Sequence, residues 1–142
     1  MRLSGNSLLL KHVILEQVMD DILDKYGLSL IILHGSQVGE MTHAQSDTDI
    51  AILKKDRSKK FSYLSFLHDL SNKLNTDRVD ITDLGTANPL LLYAVMRKSK
   101  LLAGCKSDYE KMMYLAFHKY SDYLPYLKKE AEFVKERIET YA

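Results

Sequence analysis

A chain of 142 residues carries 20 Lys and Arg against 19 Asp and Glu, a formal net charge of +1. That length suffices to bury a core without covalent staples, the balanced charge argues against a global field for nucleic acid or membrane, and the lone Cys105 excludes an internal disulfide. No N-terminal apolar run has the length and flanks of a signal peptide or membrane span, so a single domain over 1–142 in a reducing, cytoplasmic setting is expected.

Taken in chain order, residues 7–26 place Leu10, Ile14, Val18, Ile22 and Tyr26 four apart with Leu15 and Met19 beside them, the apolar face of an amphipathic helix. Gly27 suits its C′ position. The short apolar run Leu28 to Leu33 reads as a buried strand. It delivers the chain to Gly35-Ser36, where a strand should hand over to a short helix whose first backbone N–H groups have no partner. Those groups, with the Ser36 hydroxyl, form an anion site suited to phosphate.

A second strand then carries Asp47 and Asp49, two residues apart and hence on one face. Two carboxylates that close disfavour joint ionisation, and a divalent cation is the usual way to keep both charged. With oxygen donors only, Mg²⁺ is indicated rather than zinc. Lys54, Lys55, Arg57, Lys59 and Lys60 crowd the loop that follows, which reads as a solvated loop, with contact to triphosphate, RNA or an acidic partner as the alternative. His34, beside the cradle, reads as a packed strand histidine, with a nucleotide contact as the alternative.

Residues 61–74, with Phe61, Leu64, Leu67, Leu70 and Leu74, predict a helix that crosses back over the sheet. The strand 78–84 carries Asp80, while Asp83, out of phase with it, reads as structural. Asn88-Pro89 marks an N-cap and first helical position for a helix over 89–98. Lys100 to Ala103 predict an edge strand. Ser107 and Glu110 have capping-box spacing and open a long C-terminal helical segment, about 107–140. In it Met113, Phe117, Tyr120, Leu124, Leu127, Ala131, Val134 and Ile138 recur at alternating gaps of four and three. Pro125 predicts a kink, or two helices meeting near Asp122. Six of the nine tyrosines lie beyond residue 108, and Tyr is enriched at interfaces. The stripe, centred on Phe117, Tyr120, Leu124 and Leu127, is therefore expected to serve in part as a partner interface.

Gly35-Ser36 followed by Asp47-Thr48-Asp49 resembles the signature of the DNA polymerase β-like nucleotidyltransferases, especially the minimal MNT type, with Asp80 matching that family's third carboxylate on a later strand. The resemblance covers about residues 28–103. Two departures stand out: Gln37 occupies a position where many relatives carry Arg, and their second Gly falls one position later than Gly39. The resemblance implies an α/β nucleotidyltransferase fold, with a small mixed sheet, helices mainly on one face and a C-terminal helical segment. It also implies nucleotidyl transfer, with Asp47, Asp49 and Asp80 holding two Mg²⁺ ions, and Gly35 and Ser36 binding the triphosphate of ATP. MNT-type proteins are antitoxins that adenylylate a tyrosine of a HEPN ribonuclease toxin, which makes such a toxin the expected partner, with no direct nucleic-acid contact. This chain lacks the R-x₄₋₆-H spacing of a HEPN protein. A small-molecule, antibiotic-type nucleotidyltransferase and a non-catalytic toxin-binding antitoxin remain the alternatives.

Overall fold

The computed structural model describes residues 4–38 and 47–141, with the side chains of 4–9, 11, 12, 36 and 37 outside the description. Helix α1 (Ser4–Lys25) leads through a tight turn into strand β1 (Leu28–His34), a single 3₁₀ turn (Gly35–Val38) and strand β2 (Thr48–Lys54). Helix α2 (Tyr63–Leu74), strand β3 (Val79–Asp83), helix α3 (Pro89–Met96), strand β4 (Ser99–Gly104) and helix α4 (Lys106–Tyr141) follow. Local chemistry sets most of these boundaries. Gly27, at φ 62°, takes the left-handed position that ends α1. The Ser62 side chain caps α2 by accepting from the Ser65 N–H, and Asn88 caps α3 by accepting from the Leu91 N–H at 2.9 Å.

The four strands lie in the order β3-β2-β1-β4, with β1 antiparallel to both neighbours and β2 parallel to β3. The sheet is mixed and β4 is an edge strand, as the sequence predicts. The expectation of helices mainly on one face is corrected. Ile31, Ile50 and Ile52 pack with Met19, Ile22, Phe66 and Leu70 of α1 and α2, whereas Leu30, Ile32 and Ala51 pack with Leu92, Val95, Met96 and Ala116 of α3 and α4. The cause is the unbroken apolar run of β1, which has an apolar side chain for each face and so needs cover on both.

Two further expectations at the C-terminus are corrected. Helix α4 begins at Lys106, and the Cys105 carbonyl accepts the Tyr109 N–H at 3.1 Å, so Ser107 lies inside the helix rather than capping it. β4 runs up to Gly104, which leaves only Cys105 to act as the cap. Nor does Pro125 divide the segment: α4 is one helix of 36 residues. Proline removes one intrahelical bond, and on the exposed surface of α4, where Pro125 sits, water can take up the released carbonyl.

The start of α4 is anchored by Tyr109, whose hydroxyl meets the Ser99 hydroxyl at 2.7 Å, and by Tyr120, whose ring stacks on Tyr93 at a centroid distance of 4.0 Å. From Lys128 to Tyr141 every residue is exposed. Helix α1 shows the same division. Met19 and Ile22 are buried, while Leu10 and Ile14 on the same stripe are exposed.

Candidate active site

Strand register sets four residues in a row across one end of the sheet. Asp80 of β3 is the partner of Asp49 in β2, Asp49 of His34 in β1, and His34 of Ser99 in β4. Side chains alternate along a strand. Ile50 and Ile52 belong to the α1/α2 side and Ala51 to the α3/α4 side, which puts Asp49, and likewise His34 and Asp80, on the α3/α4 side. Asp47 stands one residue before β2, exposed, where the Thr48 N–H donates to the Arg78 carbonyl at 2.8 Å and draws the two strand entries together. Asp49 is half-buried and Asp80 exposed.

Gly35 lies directly beneath Asp49. Its φ is 78°, and a β-carbon built there would run into the Asp49 Oδ2 atom. A side chain at 35 is therefore opposed both by backbone conformation and by space. Where the sequence predicts a short helix, the backbone of Gly35–Val38 forms a single 3₁₀ turn. The contribution assigned to the Ser36 hydroxyl, and the position of Gly39, lie outside what the structure describes. Among the described residues, no group of three or more His, Cys, Asp or Glu side chains is gathered into a metal cluster. The structure pairs Asp49 with Asp80 and keeps Asp47 at the strand entry.

His34 packs in the strand as predicted; its Nε2 is buried without a hydrogen-bond partner among the described residues, and it faces Asp49 across the β1/β2 ladder. Burial pushes its pKa down, against the opposing pull of the Asp49 charge. A signal was available in its parity with Leu30 and Ile32, which places it on the same side as Asp49.

The basic loop does not join this row. Lys54 and Asp83 form an ion pair of 3.2 Å at the other end of the sheet, with their side chains only 16% and 13% exposed. The Tyr63 hydroxyl donates to the same carboxylate at 3.2 Å. The interaction with Tyr63, and then that with Asp83, raises the Lys54 pKa against the effect of burial. Asp83, read from its phase along β3 as structural, is held in this ion pair. Of the residues expected at a partner interface, Phe117 is 56% exposed, while Tyr120, Leu124 and Leu127 are half-buried. They lie along α4.

Residues 17–108 match the family described as polymerase beta, nucleotidyltransferase. The protein adenylyltransferase MntA of Shewanella oneidensis is 35% identical over 83 residues, which are 58% of this chain. The chain spans 59% of the length of that curated relative. A chain from the crystal structure of a toxin-antitoxin with AMP-PNP is similar at a TM-score of 0.67 and 27% identity, over 87% of this chain and 98% of that one. A second similar chain comes from a structure of tri-AMPylated Shewanella oneidensis HEPN toxin in complex with MNT antitoxin. Its TM-score is 0.62 at 25% identity, over 90% of this chain and 98% of that one.

Proposed function

The chain belongs to the polymerase beta nucleotidyltransferase family, and from that premise we propose that it is an antitoxin acting as a cytoplasmic protein adenylyltransferase, moving AMP from ATP to a tyrosine of a HEPN ribonuclease toxin. The observation that carries this reading is the pairing of Asp49 with Asp80 at the strand ends, with the Gly35 backbone against the Asp49 carboxylate. The adenylyltransferase named among its relatives, and the AMPylated HEPN toxin in complex with an MNT antitoxin, support the choice of substrate and acceptor. Residues about 28–103 form the catalytic core, and about 107–140 the interaction segment.

The backbone N–H groups of the Gly35–Val38 turn, and Ser36 with them, hold the β and γ phosphates and so fix the line of approach to the α-phosphorus. The phenolic oxygen of the acceptor tyrosine attacks that phosphorus. A new P–O bond forms, the bond from the α-phosphorus to the α,β-bridging oxygen breaks, and pyrophosphate leaves. Asp80, exposed at the start of β3, orients the phenol and takes its proton. Asp47, Asp49 and Asp80 offer only oxygen donors, the donor set that suits Mg²⁺, which they would hold as two ions. When bound, Mg²⁺ supplies charge neutralisation to the triphosphate and the developing negative oxygens.

The test is transfer of label from α-labelled ATP with Mg²⁺, using the purified toxin as acceptor and locating the adduct by mass spectrometry. A labelled tyrosine on the toxin is expected. Labelling of an aminoglycoside-like small molecule and of no protein would replace this reading with a small-molecule transferase.

A further inference from the structure

At the end of the sheet away from the acidic row, Lys25, Lys54, Lys55, Lys59 and Lys60 line one cavity of about 340 Å³. The loop lysines alone would be an ordinary solvated run. Their convergence with Lys25, from the end of α1, is a product of the fold: the Lys55 N–H donates to the Gly27 carbonyl at 3.0 Å and ties the loop to the α1–β1 turn. Two of the five lysines are already committed, Lys25 to Asp69 at 2.8 Å and Lys54 to Asp83 at 3.2 Å. Lys55, Lys59 and Lys60 make no salt bridge among the described residues. The acids on the cavity wall are Asp24 and Asp56, and the Asp56 carboxylate is occupied by the Ser58 N–H and hydroxyl at 2.9 and 2.6 Å. The cavity wall thus gathers five ammonium groups around two carboxylates, of which Asp56 also feels the charge of Lys59.

The cavity is separate from the nucleotide site on two counts. Lys54 lies five residues along β2 from Asp49, roughly 17 Å at the rise of a strand. It also shares its parity with Ile50 and Ile52 on the α1/α2 side, whereas Asp49 faces the α3/α4 side. We propose that this cavity is a second anion site, one that binds a chain of phosphate groups through Lys55, Lys59 and Lys60. Ammonium groups on flexible stems suit successive phosphates as point charges. A free phosphate chain and a single-stranded RNA backbone share this chemistry, and the inference does not depend on the adenylyltransferase reading.

Inorganic tripolyphosphate and a mixed-sequence single-stranded RNA decamer are titrated into the full chain and into the Lys59→Glu/Lys60→Glu variant. Both residues are exposed and lie outside the proposed catalytic machinery, so thermal unfolding and labelling of the toxin should be unchanged. The parent should bind at 50 mM salt and the variant at least 10-fold more weakly, with Lys59→Gln/Lys60→Gln between them. For RNA held through three phosphates, affinity should fall about 20-fold between 50 and 200 mM salt. Tighter binding of RNA than of tripolyphosphate would identify a nucleic-acid backbone as the ligand, and the reverse order a free phosphate chain. Equal affinity of parent and variant for both probes, or no binding of either probe by the parent, would overturn the proposal.

Discussion

The α-carbon of Gly35 stands so close to the carboxylate of Asp49 that no side chain fits between them, and its φ of 78° is one that L side chains rarely adopt. Gly35→Ala should therefore lower stability by about 1–2 kcal/mol from the backbone conformation alone. Gly35→Val should in addition displace Asp49 and weaken binding of a nonhydrolysable triphosphate analogue at least tenfold. Ser36→Ala should cost less, since one hydrogen bond is worth about 0.5–1.5 kcal/mol net. Calorimetric titration decides the order, and equal affinity of the Val variant and the parent would move the phosphate cradle elsewhere.

Replacing each acid separates chemistry from folding. Asp47 and Asp80 are exposed and Asp49 half-buried, so each Asp→Asn change should leave the melting temperature of the chain within a few degrees of the parent. Asp47→Asn and Asp49→Asn should reduce transfer to the toxin to background, and Asp80→Asn should lower the rate more than nucleotide affinity. A folded Asp49→Asn variant that labels at the parental rate would end the metal-site reading.

The Lys54–Asp83 pair should behave as a structural element. Both side chains are largely buried and share Tyr63, so Asp83→Ala leaves a buried ammonium short of a partner. A loss of about 1–3 kcal/mol in denaturant unfolding is expected, with transfer activity retained in the folded fraction. Lys54→Met combined with Asp83→Leu should recover part of that loss, because the desolvation penalty goes with the charges. Loss of activity at full stability would instead place this pair in the chemistry.

Tyr26 offers a pH readout far from the site. Burial, then its hydrogen bond to Asp69, pushes the phenol up to about 12. The raised value means that the neutral phenol is favoured in the folded chain. Its contribution to stability is complete below the unfolded value near 10 and is lost as pH rises from 10 through 12. Spectrophotometric titration should show Asp69→Asn bringing Tyr26 back toward 10. No change on that substitution would mean that burial alone sets its pKa.

Most of the elements were legible because the signals that make them are local. The Asn88-Pro89 start of α3, the Gly27 stop of α1 and the apolar run of β1 each act within a few residues. The acids were legible through spacing, and the pairing of Asp49 with Asp80 follows once β2 and β3 lie parallel. What stayed hidden depends on partners distant in sequence. In α2 the predicted stripe included Leu64, which is 82% exposed, while Phe66 fills the core by packing against Tyr26 and Phe61. The burial of the His34 nitrogen and the convergence of Lys25 with the basic loop likewise arise only when separate segments meet.

The C-terminal helix gives the sharpest division between folding and partnership. Its stripe continues past the last contact with the domain: Ala116 is buried and Tyr120 stacks on Tyr93, yet Val134 is 53% and Ile138 65% exposed. A carboxylate at Ala116 would be buried without a partner, so Ala116→Glu should unfold the chain. The same charge at Ile138 meets water and should alter stability by no more than about 0.5 kcal/mol. If the stripe docks on a HEPN toxin, Ile138→Glu, or Leu124→Glu at its half-buried centre, should weaken the complex by about 2 kcal/mol or more, roughly 30-fold, because the charge must enter an apolar contact. Toxin labelling should fall in proportion, while Mg²⁺-dependent triphosphate binding persists. Light scattering and a pull-down with the purified toxin measure assembly, and unfolding curves run in parallel measure the chain. Unfolding by Leu124→Glu would assign that part of the stripe to the core, and a complex indifferent to both Glu variants would place the toxin on another face.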